Sequence, residues 1–246
     1  MIQKNRSFDV ILFDLGDTLI YFDGKWEKML IQSNLALFHS LIEQGIQVEK
    51  IAFLTAFSKQ MQWYYKQREI TYIEYTSIEM LKITLEKLGV GKISDSTIET
   101  ALVEMYRVSQ NHWFLEKDAY EILTWLTSQG YRLGLITNAS DTIDVNTLLS
   151  KYQLNQYFEK IIISAAYGLR KPHPAIFNEA IQYFEYPQES YLMVGDKLAN
   201  DVLGAQNAGI HSAWIKRRGR TEFNQQHRHI QPDYQLETLL DLKEIV

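Results

Sequence analysis

The segment Phe8–Leu19 has the sequence FDVILFDLGDTL, an apolar run that ends at Asp14 and is followed by a short polar turn. Continuous apolar runs of this kind are typical of strands buried on both faces of a parallel sheet. The same pattern, a run followed by a polar residue, recurs at Tyr131–Ile136 before Thr137, Lys160–Ile163 before Ser164, and Tyr191–Val194 before Gly195 and Asp196. The chain therefore repeats one unit, a buried strand with a polar group at its end.

Helical patterns separate these strands. Residues 118–128 carry apolar side chains at helical spacing and stop before Gly130, and residues 174–184 begin with a proline suited to a first helical turn. A run at residues 211–215 predicts a fifth strand, and a final helix is predicted from about Leu236. Alternation of strands and helices predicts an α/β fold with a Rossmann-like, doubly wound parallel sheet.

The stretch from about Tyr21 to His112 contains no buried-strand run, and its apolar residues recur at helical intervals. Four helices are marked in turn by Ile31, Leu35, Phe38 and Ile42; by Ile51, Leu54, Phe57 and Met61; by Ile78, Leu81, Leu85 and Leu88; and by Ile98, Leu102, Met105 and Tyr106. We therefore predict a core at residues 1–20 and 113–246 with an inserted all-helical cap at residues 21–112. The cap is expected over the carboxyl ends of the strands, where open α/β sheets bind ligands.

Composition excludes several classes of protein. The chain has 246 residues, 25 Lys plus Arg against 30 Asp plus Glu, a net charge of -5 and no cysteine. We expect no nucleic-acid partner, no disulfide and no Cys-ligated zinc. The apolar runs are too short to span a membrane and no secretory-type stretch is present, so we expect a cytoplasmic protein. For the subunit number, a monomer and a homodimer are both open. The basic segment at residues 216–220, together with His227, Arg228 and His229, would suit an anionic partner or a metal, but in an acidic protein it is interpreted as a solvated loop.

Polar residues at the strand ends should meet at one edge of the parallel sheet. Asp14 and Asp196 follow two of the predicted strands, and Asp201 lies a few residues further along. A carboxylate in such a place can act as a nucleophile or bind a hard cation. Three carboxylates around one point repel each other unless a cation is present, and Mg²⁺ prefers carboxylates, water and substrate phosphate as ligands.

Two further strand-end or loop positions offer groups that bind a phosphoryl oxygen. Lys171 would supply positive charge, and Thr137 together with the backbone N–H of Asn138 could donate hydrogen bonds. These residues are the predicted substrate-binding set. A small phosphorylated metabolite is the expected partner.

At this point the sequence resembles the haloacid dehalogenase (HAD) superfamily, in the subgroup whose helical cap follows the first strand. Four motifs occur in order along nearly the whole chain, and together they are far more specific than any one of them. They are Phe13-Asp14-Leu15-Gly16-Asp17-Thr18-Leu19, Ile136-Thr137-Asn138, Leu169-Arg170-Lys171-Pro172-His173-Pro174, and Gly195-Asp196 through Asp201, with Asp201–Gly209 continuing the last.

The resemblance implies a role for each matching residue. Asp14 would be the nucleophile, and Thr137 and Lys171 would bind the transferring group. Asp196 and Asp201 would hold Mg²⁺ together with Asp14, and the backbone carbonyl of Gly16 would be a further metal ligand.

One position departs from the family pattern. Phosphatases of this superfamily usually carry a second Asp two residues after the nucleophile as general acid and base, and here that residue is Gly16. Asp17 is one place further on, where an extended segment would point its side chain the other way. The sequence leaves open slow turnover, a leaving group that needs no proton, an acid from the cap, or a local rearrangement that brings Asp17 in.

Three functions follow from these observations. The leading prediction is a Mg²⁺-dependent phosphatase that acts on a small phosphomonoester through an aspartyl-phosphate. The first alternative is a 2-haloacid dehalogenase, because a departing halide needs no proton and Gly16 would then be harmless. The second alternative is a binding or regulatory protein whose catalysis is weakened by Gly16.

Overall fold

The computed structural model describes residues 7–246, which form two compact units. The first unit contains residues 7–22 together with Phe114–Asn138 and Leu149–Val246. The second contains Asp23–Trp113 and Ala139–Leu148. The short segment Ala139–Leu148, which the sequence-based boundaries leave in the core, is thus grouped with the helical residues.

The first unit is built on a parallel sheet of six strands in the order β5-β4-β1-β6-β7-β8. A separate two-stranded sheet is formed by β2 and β3. The strands are β1 (Val10–Phe13), β2 (Ile20–Phe22), β3 (Trp113–Leu115), β4 (Arg132–Thr137), β5 (Lys160–Ile163), β6 (Tyr191–Gly195), β7 (His211–Ile215) and β8 (Tyr234–Leu236). The predicted α/β class and its five strands are confirmed, whereas β2, β3 and β8, each three residues long, carry too little pattern for prediction.

The second unit is helical, as its sequence periodicity predicts. Its four long helices are α1 (Trp26–Glu43), α2 (Lys50–Thr71), α3 (Ser77–Lys87) and α4 (Asp95–Gln110). The start of α3 is fixed by a capping box in which Thr76 and Glu79 satisfy each other's backbone N–H groups. A common apolar core holds the helices together, and it includes Leu37, Phe53, Phe57, Leu81, Leu85, Ile98 and Leu102.

The remaining helices follow the strands along the chain. They are α5 (Ala119–Ser128), α6 (Thr142–Lys151), α7 (Ser164–Tyr167), α8 (Pro174–Phe184), α9 (Leu203–Asn207), α10 (Lys216–Gly219) and α11 (Glu222–Gln226). The helix predicted from about Leu236 is a short 3₁₀ helix at Leu239–Glu244 instead. Among residues 7–246, no helix combines the length and apolar character needed to cross a membrane.

Close packing on the sheet explains the glycine within the apolar pattern of β4, Gly134. A Cβ atom at Gly134 would lie 2.7 Å from Leu12 Cδ2 and 3.0 Å from Phe184 Cε2. The missing side chain therefore lets α8 pack directly on the central strands β1 and β4. This tight layer fixes the positions of the neighbouring strand ends.

Candidate active site

The ends of the three central strands bring the predicted polar residues to one edge of the sheet. Asp14 follows β1, Thr137 ends β4, and Asp196 follows β6. The three strands are parallel neighbours in the order β4-β1-β6. The backbone N–H of Asp14 continues the ladder by donating to the carbonyl of Val194 at 2.9 Å. The two Asp residues thus follow adjacent strands and lie within one residue of the same level.

Lys171 lies at the centre of the site and is fully buried, with 1% of its surface exposed. Its Nζ donates to Asp14 Oδ1 and to the Ile136 carbonyl, each at 2.7 Å, and forms an ion pair with Asp201 Oδ1 at 2.7 Å. Burial opposes the charge on Lys171, but the carboxylates of Asp14 and Asp201 outweigh burial and raise its pKa above the ordinary value. Lys171 therefore stays charged.

Three carboxylates converge beside Lys171, and we call Asp14, Asp196 and Asp201 the acidic cluster. Each contributes an oxygen atom, and these oxygens all lie within 4.8 Å of one another. All three residues are buried. Asp201 is oriented by the backbone N–H of Lys197, which donates to its Oδ2 at 2.9 Å. Gly195 makes room for it, because a Cβ there would lie 2.3 Å from the Asp201 carboxylate.

The charges in this cluster do not balance. Asp196 Oδ1 is buried without a hydrogen-bond partner among the described residues, and the nearest ammonium, Lys197 Nζ, is 3.9 Å away. Burial, followed by the neighbouring carboxylates, raises the pKa of Asp196 well above the ordinary value even though Lys197 opposes this. Burial also raises the pKa of Asp201. A buried set of oxygen donors with surplus negative charge fits a divalent cation such as Mg²⁺.

Thr137 and Asn138 lie at the end of β4, and the Asn138 side chain is hydrogen-bonded to the backbone of Lys171. Its Nδ2 donates to the Lys171 carbonyl at 2.9 Å, and its Oδ1 accepts from the Lys171 backbone N–H at 2.8 Å. This reciprocal pair fastens the loop carrying Lys171 to the end of β4. Thr137 is buried beside it, with 5% of its surface exposed.

The turn after Asp14 differs from the extended segment assumed from sequence. Asp17 has a left-handed backbone, with φ of 59°, and its carboxylate accepts a hydrogen bond from the Phe22 backbone N–H. Strict alternation of side chains therefore does not apply here. Burial raises the pKa of Asp17, Lys197 lowers it and Asp14 raises it, so the carboxylate lies within electrostatic reach of the acidic cluster.

Sequence reasoning missed Lys197. The pKa of the Lys197 ammonium is raised above its ordinary value. The Asp196 carboxylate makes the largest contribution, and together with Asp14 and Asp17 it outweighs burial, which lowers the pKa. Its position directly after Asp196 in the fourth motif could have identified it as a residue of the site. Lys197 provides a second cation at the site, although 42% of its side chain stays exposed.

The prediction of a solvated basic loop is wrong for Arg217 and Arg218, whereas Arg220 is exposed as predicted. Arg217 makes two 2.9 Å hydrogen bonds to the Asp118 carboxylate, and Arg218 Nε donates to Glu116 at 2.8 Å. Both acidic partners are buried. These four residues, called here the Arg217 cluster, escaped prediction because their acidic partners lie about a hundred residues earlier in the chain.

Comparisons with known proteins identify the family and the fold of this chain. The family model for haloacid dehalogenase-like hydrolases matches residues 46–215. A glyceraldehyde 3-phosphate phosphatase from Pyrococcus abyssi is 28% identical over 84% of this chain and 81% of its own length. Two crystal structures, each covering 97% of both chains at 23% identity, share the fold: an HAD phosphatase from Thermococcus onnurineus (TM-score 0.63) and a 2-haloacid dehalogenase from Pseudomonas syringae (TM-score 0.67).

Proposed function

Because the chain belongs to the haloacid dehalogenase-like hydrolases, we propose that it is a Mg²⁺-dependent phosphatase of a small phosphomonoester, with Asp14 as nucleophile. The observation that carries this proposal is the buried Asp14 carboxylate, held by Lys171 and within 4.8 Å of Asp196 and Asp201. The Pyrococcus abyssi relative is named a glyceraldehyde 3-phosphate phosphatase, and this name supports a phosphate ester as the substrate class.

The proposed reaction has two displacements. A carboxylate oxygen of Asp14 attacks phosphorus, and the P–O bond to the alcohol breaks with its electron pair on the leaving oxygen, which takes up a proton. Water then attacks phosphorus of the aspartyl-phosphate, releasing inorganic phosphate and restoring Asp14. In both steps Lys171, Thr137 and the Asn138 backbone N–H would bind the phosphoryl oxygens, which carry the developing charge.

The proposed metal ligands are the side chains of Asp14, Asp196 and Asp201 and the backbone carbonyl of Gly16. The buried surplus of carboxylate charge and the Asp196 oxygen without a hydrogen-bond partner support this assignment. When bound, a divalent ion would supply positive charge that offsets repulsion between the phosphate and these carboxylates. Lys171 and Lys197 would share that task from the protein side.

The decisive experiment is a panel of phosphomonoesters assayed with Mg²⁺ and with EDTA. We expect phosphate release by the wild type with Mg²⁺, and a loss of about 10⁴-fold or more in Asp14→Asn, because removal of a nucleophile eliminates the covalent route. Asp9→Asn, at the other end of the same strand, is the matched control and should retain full activity. Turnover that survives in Asp14→Asn would rule out the proposed role of Asp14.

A dehalogenase remains the second candidate because Gly16 leaves the usual acid/base position without a side chain. The acidic cluster favours the phosphatase, since attack on a 2-haloacid would not require surplus carboxylate charge for a cation. Chloride release from 2-chloropropionate in EDTA would reverse this preference. Binding of phosphate esters with no turnover across the whole panel would instead favour a regulatory protein on the same scaffold.

A further inference from the structure

A cavity lies in the α/β unit beside the end of β7, and none of the proposed phosphoryl-binding residues lines it. Its volume is about 540 Å³, and its walls come from Leu198, Trp214 and the segment between Gly219 and Gln235. A volume of several hundred Å³ is the size range of small-molecule sites. The proposed reaction uses none of the side chains that line this cavity.

The lining of this cavity is suited to an anion. Among the described residues that form it, none is acidic, whereas Arg220 and Arg228 both contribute. Arg220 forms an ion pair with Glu237 at 2.7 Å, and the same carboxylate pairs with Lys216. Arg228 makes no ion pair with any residue in the described part of the chain. A guanidinium binds phosphate through paired N–H donors, so Arg228 is the candidate group for binding an anion.

The rest of the cavity offers a mixed surface to the body of a ligand. Trp214, Ile230 and Pro232 provide apolar contact, and the amides of Gln225 and Gln235 provide donors and acceptors. A free inorganic anion would leave most of this surface without a partner. An organic phosphate with a ring or carbon skeleton would use both the guanidinium and the apolar wall.

The wall of this cavity is also part of the support of the active site. Asn224 is buried and donates to the Asp196 carbonyl at 2.7 Å, while its Oδ1 accepts from the Leu198 backbone N–H at 2.9 Å. The indole Nε1 of Trp214 donates to the same Asp196 carbonyl at 2.8 Å. Two lining residues thus hold the backbone of a residue in the acidic cluster.

We propose that this cavity is a second ligand site for a small organic phosphate, which binds Arg228 and acts on the active site through Asn224 and Trp214. The binding part is independent of the reaction. The effect on activity rests on the proposed phosphatase function, because it assumes that Asp196 takes part in the reaction. Occupation of the cavity would move the Asp196 carbonyl by shifting the two donors that hold it.

The probe is the phosphonate analogue of adenosine 5′-monophosphate, which cannot be hydrolysed because a methylene group replaces the ester oxygen. Binding is followed by the indole N–H signal of Trp214 in two-dimensional NMR of the ¹⁵N-labelled full chain, assigned by its loss in Trp214→Phe. We expect a saturable shift with the phosphonate and a much weaker one with adenosine or inorganic phosphate. Arg228→Gln should weaken the affinity about tenfold or more.

Two controls separate this site from the active site. Lys92→Ala removes an exposed charge in the helical unit and should leave the Trp214 titration unchanged. Arg228→Gln should leave inhibition of turnover by inorganic phosphate unchanged, because that inhibition reports the active site. No Trp214 shift with the phosphonate, or an equal shift in wild type and Arg228→Gln, would overturn the second site whether or not the protein proves to be a phosphatase.

Discussion

The α/β unit contains two clusters of buried charge that differ in balance. The Arg217 cluster pairs two guanidinium groups with the carboxylates of Glu116 and Asp118, and Asp118 Oδ2 also accepts from the Leu239 backbone N–H at 3.0 Å. In the acidic cluster the buried Lys171 ammonium pairs with two of the three carboxylates, Asp14 and Asp201, and one oxygen of Asp196 has no hydrogen-bond partner among the described residues. Burial is common to both, so surplus charge is what distinguishes a binding site from a structural ion pair.

The largest expected effect is on stability, in the balanced cluster. Arg217→Met should lower the free energy of unfolding by about 3–5 kcal/mol, because it leaves the buried Asp118 carboxylate without its cation. Urea denaturation at pH 7 measures this. Arg220→Met is the matched control, since its ion pair with Glu237 is exposed and should be worth less than about 1 kcal/mol. Equal losses in the two variants would contradict the distinction.

Asp17 lies between the two clusters, because it interacts with Asp14 and Lys197 on one side and with Arg218 on the other. We expect Asp17→Asn to lower kcat about 10²-fold with KM nearly unchanged, since a positioned acid/base supplies a factor of that order. Steady-state kinetics on the best phosphomonoester measures this, with the exposed Asp23→Asn as control. Unchanged turnover would remove Asp17 as the substitute for the acid that Gly16 lacks.

Mg²⁺ binding should also distinguish the acidic cluster from the Arg217 cluster, with a smaller effect on stability. Mg²⁺ at ten times its Kd should raise the free energy of unfolding by about 1.4 kcal/mol, because it binds the folded form. Asp196→Asn should lose most of this gain, whereas Arg217→Met should retain it. Thermal or urea unfolding with NaCl at matched ionic strength is the measurement. An equal gain in wild type and Asp196→Asn would place the ion elsewhere.

The smallest expected effect is on the pH dependence of stability. Burial raises the pKa values of Asp196 and Asp201, so their stabilising contribution is complete below the ordinary Asp pKa of 3.8 and is lost as pH rises through the raised values. In EDTA, stability should therefore fall more as pH rises above 3.8 than it does with saturating Mg²⁺, by on the order of 1 kcal/mol. Burial also raises the pKa of Asp144 to about 7, but this residue should contribute alike in both conditions. Parallel pH profiles would contradict the assignment of the metal site.

Much of the fold was predictable from the sequence. The run before Asp14 reports burial directly because buried strands need continuous apolar residues, and the periodicity between residues 21 and 112 predicts the helices because apolar residues recur every three or four positions. Three members of the predicted stripes, Ile31, Ile42 and Ile51, are nevertheless exposed. Helix α8 matches its prediction because a proline and an apolar stripe fix both its start and its face. The four motifs named the residues that the structure brings together around Lys171.

Other features depended on tertiary structure. From the sequence, the apolar runs show where each strand stops, and this places Asp14, Lys171, Asp196 and Asp201 at strand ends or in the loops that follow. The features that needed the folded chain are different ones. The left-handed turn at Asp17 and the partners of Arg217 were decided by folding. Their cause is physical: a turn conformation and an ion pair between distant segments are selected by the free energy of the packed chain, whereas local periodicity is written along the sequence itself.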